Sequence, residues 1–390
     1  MANFLTWLSR KRHPYEPLIT VEISSSRLIN NLREYSRIAP KKGLAPVLKS
    51  NAYGHGLIEV AGIIEKEMMS REIPVCPFFV VDSYFEAIAL RAGRIKTPLL
   101  VIGYSRPETI VNSSLKNISF TISNLETLKS IAGVKKPLSI HLKFDTGMHR
   151  QGFPQNEIRE VCWIVKANPQ ITLRGICSHL CDADNSDPAF TKNQILTWNN
   201  LVKKMEAEFP SLEYIHLSAT DGLRYNREIS ANVSRLGLGL YGLADIGRYS
   251  ETDRPNILPV LELKTIITGI KQLKNGQTIG YGNTFKANHD MTIATIPVGY
   301  YEGLDVDLSN KGSVEVGQEK AICPIIGRIS MNISTIDISH ISDPHIGLPV
   351  TVISNNPKSP CSIREISKLC DGIPYEIAVH VPAHLKRVID

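Results

Sequence analysis

Lys49-Ser50-Asn51-Ala52-Tyr53-Gly54-His55-Gly56 closes the apolar run Leu44–Leu48 and leads into a segment of helical period. A lysine after a strand is ordinarily a solvated cation. Here small residues and two glycines admit a ligand close to the backbone, and an amine held partly out of water can become the neutral nucleophile that a Schiff base requires. Tyr281 stands between Gly280 and Gly282, the pattern of a turn tyrosine. His216 lies in an apolar run, where a buried histidine bonded to the strand backbone is the ordinary reading. Cys177, His179 and Cys181 have metal-ligand types, but they follow one strand end without a second cluster. Two core cysteines flanking a site histidine are expected, and no metal site. Gly237-Leu238-Gly239 lacks the acidic residue and the following helix that a dinucleotide loop needs.

The elements that must position these groups repeat. A strand is expected at Leu18–Ile23 and a helix capped by Ser24 to Ser26 running to Ile38. Eight short β-rich runs follow, at Leu44–Leu48, Phe78–Asp82, Leu99–Gly103, Ser119–Ser123, Leu138–Leu142, Leu173–Cys177, Tyr214–Leu217 and Asn232–Leu236. Segments of helical period separate most of them: Leu57–Met69, Tyr84–Ala92, Leu125–Ala132 and Ile195–Phe209. Strand alternating with helix, and strands apolar throughout, predict parallel βαβ topology with both sheet faces buried. Eight such strands predict a (β/α)8 TIM barrel, whose site is built from loops at the C-terminal strand ends, so Lys49 points to the mouth. From Leu258 the pattern changes to β-branched alternation without helices, at Val260–Ile267, Met291–Pro297, Ile322–Ile326, Ser334–Ile338 and Pro349–Ile353. The fold class read from this is α/β plus β: a leader at 1–17, a barrel at 18–255 whose first strand (18–23) is expected to join the β domain, and a mostly β domain at 256–390.

Composition narrows the classes. The 390 residues are 43% apolar and 21% charged, with 26 glycines and 23 prolines, which excludes disorder and collagen. No apolar stretch approaches the roughly 18 residues that span a bilayer, so no membrane partner is expected. The net charge of +6 has a single dense basic run, Arg10-Lys11-Arg12-His13, read as a solvated turn; no nucleic-acid partner is expected. Seven cysteines, an odd number thinly spread, read as reduced thiols of a cytoplasmic protein. The patch Phe4–Leu8 has its positive charges after it, so a signal peptide is not expected.

Taken in order, the motifs resemble the pyridoxal-phosphate-dependent alanine racemases of fold type III. Lys49 to Gly56 looks like the family's cofactor-lysine motif, and Lys143-Phe-Asp-Thr-Gly-Met-His-Arg150 its segment carrying the substrate-side arginine. Arg235-Leu-Gly-Leu-Gly-Leu-Tyr-Gly242 resembles the end of its barrel. Gly280-Tyr281-Gly282, Gly299-Tyr300, Gly327-Arg-Ile-Ser-Met331 and Pro374-Tyr375-Glu376 resemble its C-terminal motifs. The resemblance spans about Ile19 to Pro382. It implies pyridoxal 5'-phosphate as cofactor, an amino-acid substrate, and a head-to-tail homodimer with shared active sites. Lys49 and Tyr281 are implied as the two bases, one on each face of the substrate's Cα. A free tyrosine titrates near ~10, so Tyr281 needs neighbours that favour its phenolate. Arg150 and His179, with Arg235 behind, are the candidates. The cofactor's phosphate is implied to rest on Thr220, Gly237 and Leu238 with the hydroxyls of Tyr53 and Tyr375. Arg235 is implied to face the pyridine nitrogen, and His216 to stack against the ring. Arg150 and the backbone of Met331 are implied to bind the substrate carboxylate, and Lys143 matches a position that many members carbamylate.

Some positions depart from the family. His149 stands for a small residue, Asn332 for aspartate and Thr220 for serine. The entrance motif reads Tyr301-Glu302-Gly303-Leu304, and Val306 replaces an entrance arginine; Asp184 and Arg328 still match entrance and inner positions. The altered positions bear on substrate choice, for which a serine or broad-specificity racemase is the alternative, with a non-catalytic cofactor binder behind it.

Overall fold

The computed structural model describes residues 16–71, 73–185 and 187–390, so the leader's basic run and apolar patch lie outside the described residues. Two compact units form: Ser24–Val260, and the described residues up to Ile23 together with Leu261–Asp390. Strand β1 (Thr20–Ile23) is part of the latter.

In the first unit all eight expected strands form, as β2 (Leu44–Pro46), β3 (Phe79–Val81), β4 (Leu99–Val101), β5 (Ile118–Ile122), β6 (Leu138–Lys143), β7 (Ile171–Cys177), β8 (Tyr214–His216) and β9 (Ser234–Leu236). β3 to β8 make one parallel sheet in sequence order, and β2 pairs with β9 in parallel. Backbone bonds join the pair to both sheet edges. Leu48 N–H donates to the Val80 carbonyl at 2.7 Å on one side, and Arg235 N–H to that of Ser218 at 3.1 Å on the other. The eight strands therefore run round in order, around a core that includes Ala45, Val47, Phe78, Val80, Leu100 and Val233. The helices Leu57–Met69 and Tyr84–Ala92 have the expected limits, the latter fixed by a Ser83/Glu86 capping box. Helix Ala189–Glu208 starts six residues before the expected Ile195, and Pro107–Asn112 and Ile158–Ala167 are further helices.

The second unit is mostly β. Its main sheet has the order β16 (Ala321–Pro324), β15 (Ser313–Val316), β18 (Pro349–Ile353), β10 (Leu261–Ile266), β1, β19 (Lys386–Ile389). β11 (Gly269–Leu273), β14 (Met291–Ile296) and β17 (Ser334–Asp337) form a second sheet, and β12 (Thr278–Ile279) with β13 (Phe285–Lys286) a hairpin. The reading of this region as free of helices is corrected by Ile363–Leu369 and Pro374–Val379. Their start signals are ordinary: Ser362 Oγ accepts from Glu365 N–H at 3.4 Å, and Pro374 opens the second helix.

Candidate active site

The chemistry-bearing residues of the first unit stand at or just beyond the C-terminal ends of its strands: Lys49 after β2, Lys143 ending β6, His179 after β7, Thr220 after β8, and Arg235 in β9 with Gly237 following. Lys49 is half-buried and starts a turn of unusual hand. Ser50, Asn51, Ala52 and Tyr53 have φ of 56°, 55°, 52° and 52°, all in the left-handed region. For residues with a Cβ this costs roughly 1–2 kcal/mol each, so hydrogen bonds, local and long-range, must hold it. Asn51 Oδ1 accepts from Leu57 N–H at 2.9 Å, and Glu86 Oε1 accepts from Ser50 N–H at 2.6 Å and from Asn51 N–H at 3.4 Å. The turn delivers the Tyr53 ring onto Tyr241, stacked at 5.0 Å, whose hydroxyl donates to the Val47 carbonyl.

Tyr53 thereby faces Gly237, where a Cβ would come within 3.0 Å of the Tyr53 hydroxyl. Thr220 completes this corner. Its buried Oγ1 accepts the N–H groups of Gly237 and Gly239, both at 3.2 Å, so its own proton is left to donate. Two hydroxyls and a glycine loop form a cradle suited to a phosphate.

Arg235 is the buried cation of the site. One terminal nitrogen donates to His216 Nδ1 at 2.6 Å and to the His216 carbonyl; the other reaches the carbonyls of Ser178 and Leu217, and His179 Nδ1 at 3.2 Å. These bonds leave its Nε–H as the remaining donor. Because arginine stays protonated, His216 Nδ1 must accept, so the proton of its neutral ring is on Nε2. That nitrogen lies 2.9 Å from His141 Nδ1, which must accept in turn. Burial and then the Arg174 and Arg235 charges push His141 down to about 3; burial and then Arg235, Lys143, Arg150 and Lys49 do the same to His179. His216 falls well below its ordinary value through burial, Arg235 and His141. All three rings are neutral. His216 is thus bonded to side chains on both sides, not to its own strand's backbone alone.

At the mouth, Asp145 Oδ1 accepts the N–H groups of Gly147, Met148 and His149 at 2.9 to 3.1 Å, setting the loop that carries the exposed Arg150. His149 has φ 54°, a left-handed conformation that a residue with a Cβ adopts at a cost. Lys143 Nζ donates to Gln151 Oε1 at 3.1 Å. Burial lowers its amine's pKa; Cys177 opposes this, while the Arg235 and Arg150 charges add to it. Asp184 is exposed on the loop after β7.

Tyr281, Met331 and Tyr375 belong to the second unit, all with exposed side chains; Tyr281, 71% exposed, tops the β12–β13 hairpin between glycines at φ 66° and 72°. Arg328 is exposed and Val306 half-buried. Two departures from the family meet here. Asn332 Nδ2 donates to Glu302 Oε1 at 2.7 Å, and the other oxygen of this buried carboxylate accepts from Gly299 N–H at 2.9 Å.

Sequence reasoning passed over Glu86, His141 and Tyr241. Glu86 was visible as the last residue of Ser83-x-x-Glu86, and His141 as a polar residue within an apolar strand run; Tyr241 stood inside the Arg235–Gly242 motif with no role assigned to it. Among the described residues no three metal-ligand side chains cluster and no helix is long and apolar enough to cross a membrane. All seven cysteines are free thiols.

Comparison with known proteins agrees with this architecture. Sequence profiles of the alanine racemase N-terminal and C-terminal domains match residues 23–245 and 260–389. The alanine racemase of Methanococcus maripaludis is 32% identical over 376 residues, covering 95% of this chain and 98% of the relative. The alanine racemase structure from Clostridium difficile superposes with a TM-score of 0.86 at 26% identity, covering 96% of each chain. That of Bacillus anthracis with bound L-Ala-P does so with 0.84 at 25% identity, covering 97% of this chain and 96% of the other. The two matched domains, in order along a barrel and a mostly β unit, and relatives of this identity make the chain an amino-acid racemase, an enzyme of the isomerase class. It belongs to the alanine racemase family.

Proposed function

We propose that this enzyme interconverts L-alanine and D-alanine with pyridoxal 5'-phosphate as cofactor, in the cytoplasm, and supplies D-alanine for peptidoglycan. The observation that carries the reading is the anion cradle of Tyr53, Thr220 and Gly237 at the barrel end that also presents Lys49. The residues fit the cofactor. Lys49 would hold it through its amine; Tyr53, Thr220, Gly237 and Leu238, with Tyr375, would hold its phosphate; His179 and His216 would flank it. The unused Nε–H of Arg235 is a donor suited to an unprotonated ring nitrogen. When bound, the cofactor delocalises the electron pair left at Cα after a proton is removed.

The protein's own groups do the rest. The Lys49 amine takes or returns the Cα proton on one face, and the Tyr281 phenolic oxygen serves the other, contributed across a two-fold interface of a homodimer. The guanidinium of Arg150 and the N–H of Met331 hold the substrate carboxylate. Lys143 is the proposed carbamate: a lowered amine pKa leaves more of it neutral to add CO2 with release of a proton, and the product pairs with Arg150. A crystal structure with a plain amine at Lys143 would remove that detail.

A racemisation assay across a panel of L-amino acids tests the whole. L-alanine should be turned over fastest, and Lys49→Ala should abolish turnover. The second reading, a serine or broader racemase, would be revealed in the same panel by a faster substrate. Cofactor binding without any turnover would mark a carrier and overturn both.

A further inference from the structure

We propose that Glu86 is a positioning residue of this site, its carboxylate holding the left-handed turn and with it the Lys49 amine and the Tyr53 hydroxyl. The inference rests on the reading of Lys49 and Tyr53 as cofactor-holding groups. Glu86 is shared between two structures. Its Oε2 accepts from Asp82 N–H at 2.8 Å and from Ser83 N–H at 3.3 Å, the cap of helix Tyr84–Ala92. Its Oε1 reaches 36 residues back along the chain to Ser50 N–H at 2.6 Å and Asn51 N–H at 3.4 Å. Those are the first two peptide groups after Lys49. They open a turn whose residues all carry a Cβ in a conformation that L-residues resist, and the peptide N–H groups of Ser50 and Asn51 have no partner within the turn, so its opening depends on Glu86 while short-range bonds close its later part.

A carboxylate is the one group that accepts at both ends. In Glu86→Gln, whichever way the amide lies, an NH2 faces one of the two sets of N–H donors, and the bonds on that side are lost. The amide lies favourably when its oxygen keeps the helix cap, whose two donors belong to a regular element, and its NH2 then meets the turn.

The test compares three proteins: wild type, Glu86→Gln and Ser83→Ala. Ser83→Ala removes the hydroxyl that accepts from Glu86 N–H, weakening the same helix cap while leaving the carboxylate on the turn. Glu86→Gln should bind pyridoxal phosphate at least about tenfold more weakly, the loss expected from charge-assisted bonds. Without cofactor, amide exchange over residues 49 to 57 should quicken by a similar factor. Ser83→Ala should match wild type in both. If Glu86→Gln does not fold, Glu86→Asp, which keeps the charge at the helix start but is too short for the turn, is read the same way.

Wild-type binding and exchange in Glu86→Gln would overturn the proposal, as would equal losses in Ser83→Ala. A wild type that binds no cofactor through Lys49, shown by borohydride reduction and peptide mapping, would instead overturn the reading of the site. The exchange comparison on unloaded protein would still decide whether Glu86 holds the turn.

Discussion

A single amide donor ties down one buried carboxylate of the second unit. Asn332 donates to Glu302, which already takes the Gly299 N–H. Aspartate here would set a second carboxylate, exposed on its own side, against the buried carboxylate of Glu302 and remove the amide donor. Asn332→Asp should therefore cost on the order of 1 kcal/mol at neutral pH, solvent screening part of the repulsion, and adding Glu302→Gln should restore most of it. Denaturant unfolding of the two single variants and the double variant measures the coupling. Additive effects would show that the pair does not interact. The same residue-scale logic explains what the sequence showed and what it withheld. Lys49, Arg150 and Arg235 were legible because their types stand in ordered motifs. Glu86 was legible only as a helix cap and not as a support of the turn, since its partners there are peptide N–H groups that any residue provides.

Strands β6 and β8 carry the next scale. They place His141 and His216 side by side beneath Arg235, and the loop after β7 adds His179. His141 and His179 are held near 3 in the folded protein against an ordinary value of 6.5. Between those values the unfolded chain takes up protons that the folded one refuses, so stability falls as pH drops from 6.5 towards 3. Each contributes a slope of about 1.4 kcal/mol per pH unit. His141→Gln, which keeps an acceptor for His216, should remove its share of that slope between about pH 4 and 5.5, where both limits lie at least about one unit away. Unfolding curves for variant and wild type that stay parallel with pH would contradict the assignment of a neutral buried His141. Legibility at this scale was uneven. The barrel strands announced themselves because burial on both faces demands continuous apolar runs. The turn at Ser50 to Tyr53 did not, because left-handed backbone is ordinarily read from glycine, and here hydrogen bonds, local and long-range, impose it on four other residues. In the second unit the helices Ile363–Leu369 and Pro374–Val379 are only seven and six residues long, too short for their period to stand out against alternating strands.

For the assembled molecule, the decisive question is whether two chains share each site. On the proposed roles, Lys49→Ala and Tyr281→Phe each lack one base. If Tyr281 serves the partner's site, a mixed dimer contains one site with both bases intact and one with neither. Random exchange makes about half of the dimers mixed, so activity should recover to about a quarter of wild type. No recovery, with mixed dimers confirmed by mass spectrometry, would rule out sharing. Composition and periodicity of one chain do not reveal this, since symmetry belongs to the pair; only the family resemblance implies it.

The order of the second unit's main sheet also bears on how the protein is made. β1 lies between β10 and β19, antiparallel to one and parallel to the other, with Thr20 opposite both Lys264 and Lys386. A ribosome releases β1 early and both partners late. At roughly 5–20 residues per second the nascent strand waits on the order of half a minute for its second neighbour. The barrel's sequence is complete by Val260, so that unit can fold during translation, while β1 trails with open edges. A chain stalled after Ile266 but before Lys386 has one of those edges paired and the other exposed, a template for joining a second chain. For this enzyme, the hazard of synthesis is concentrated in four residues near its start.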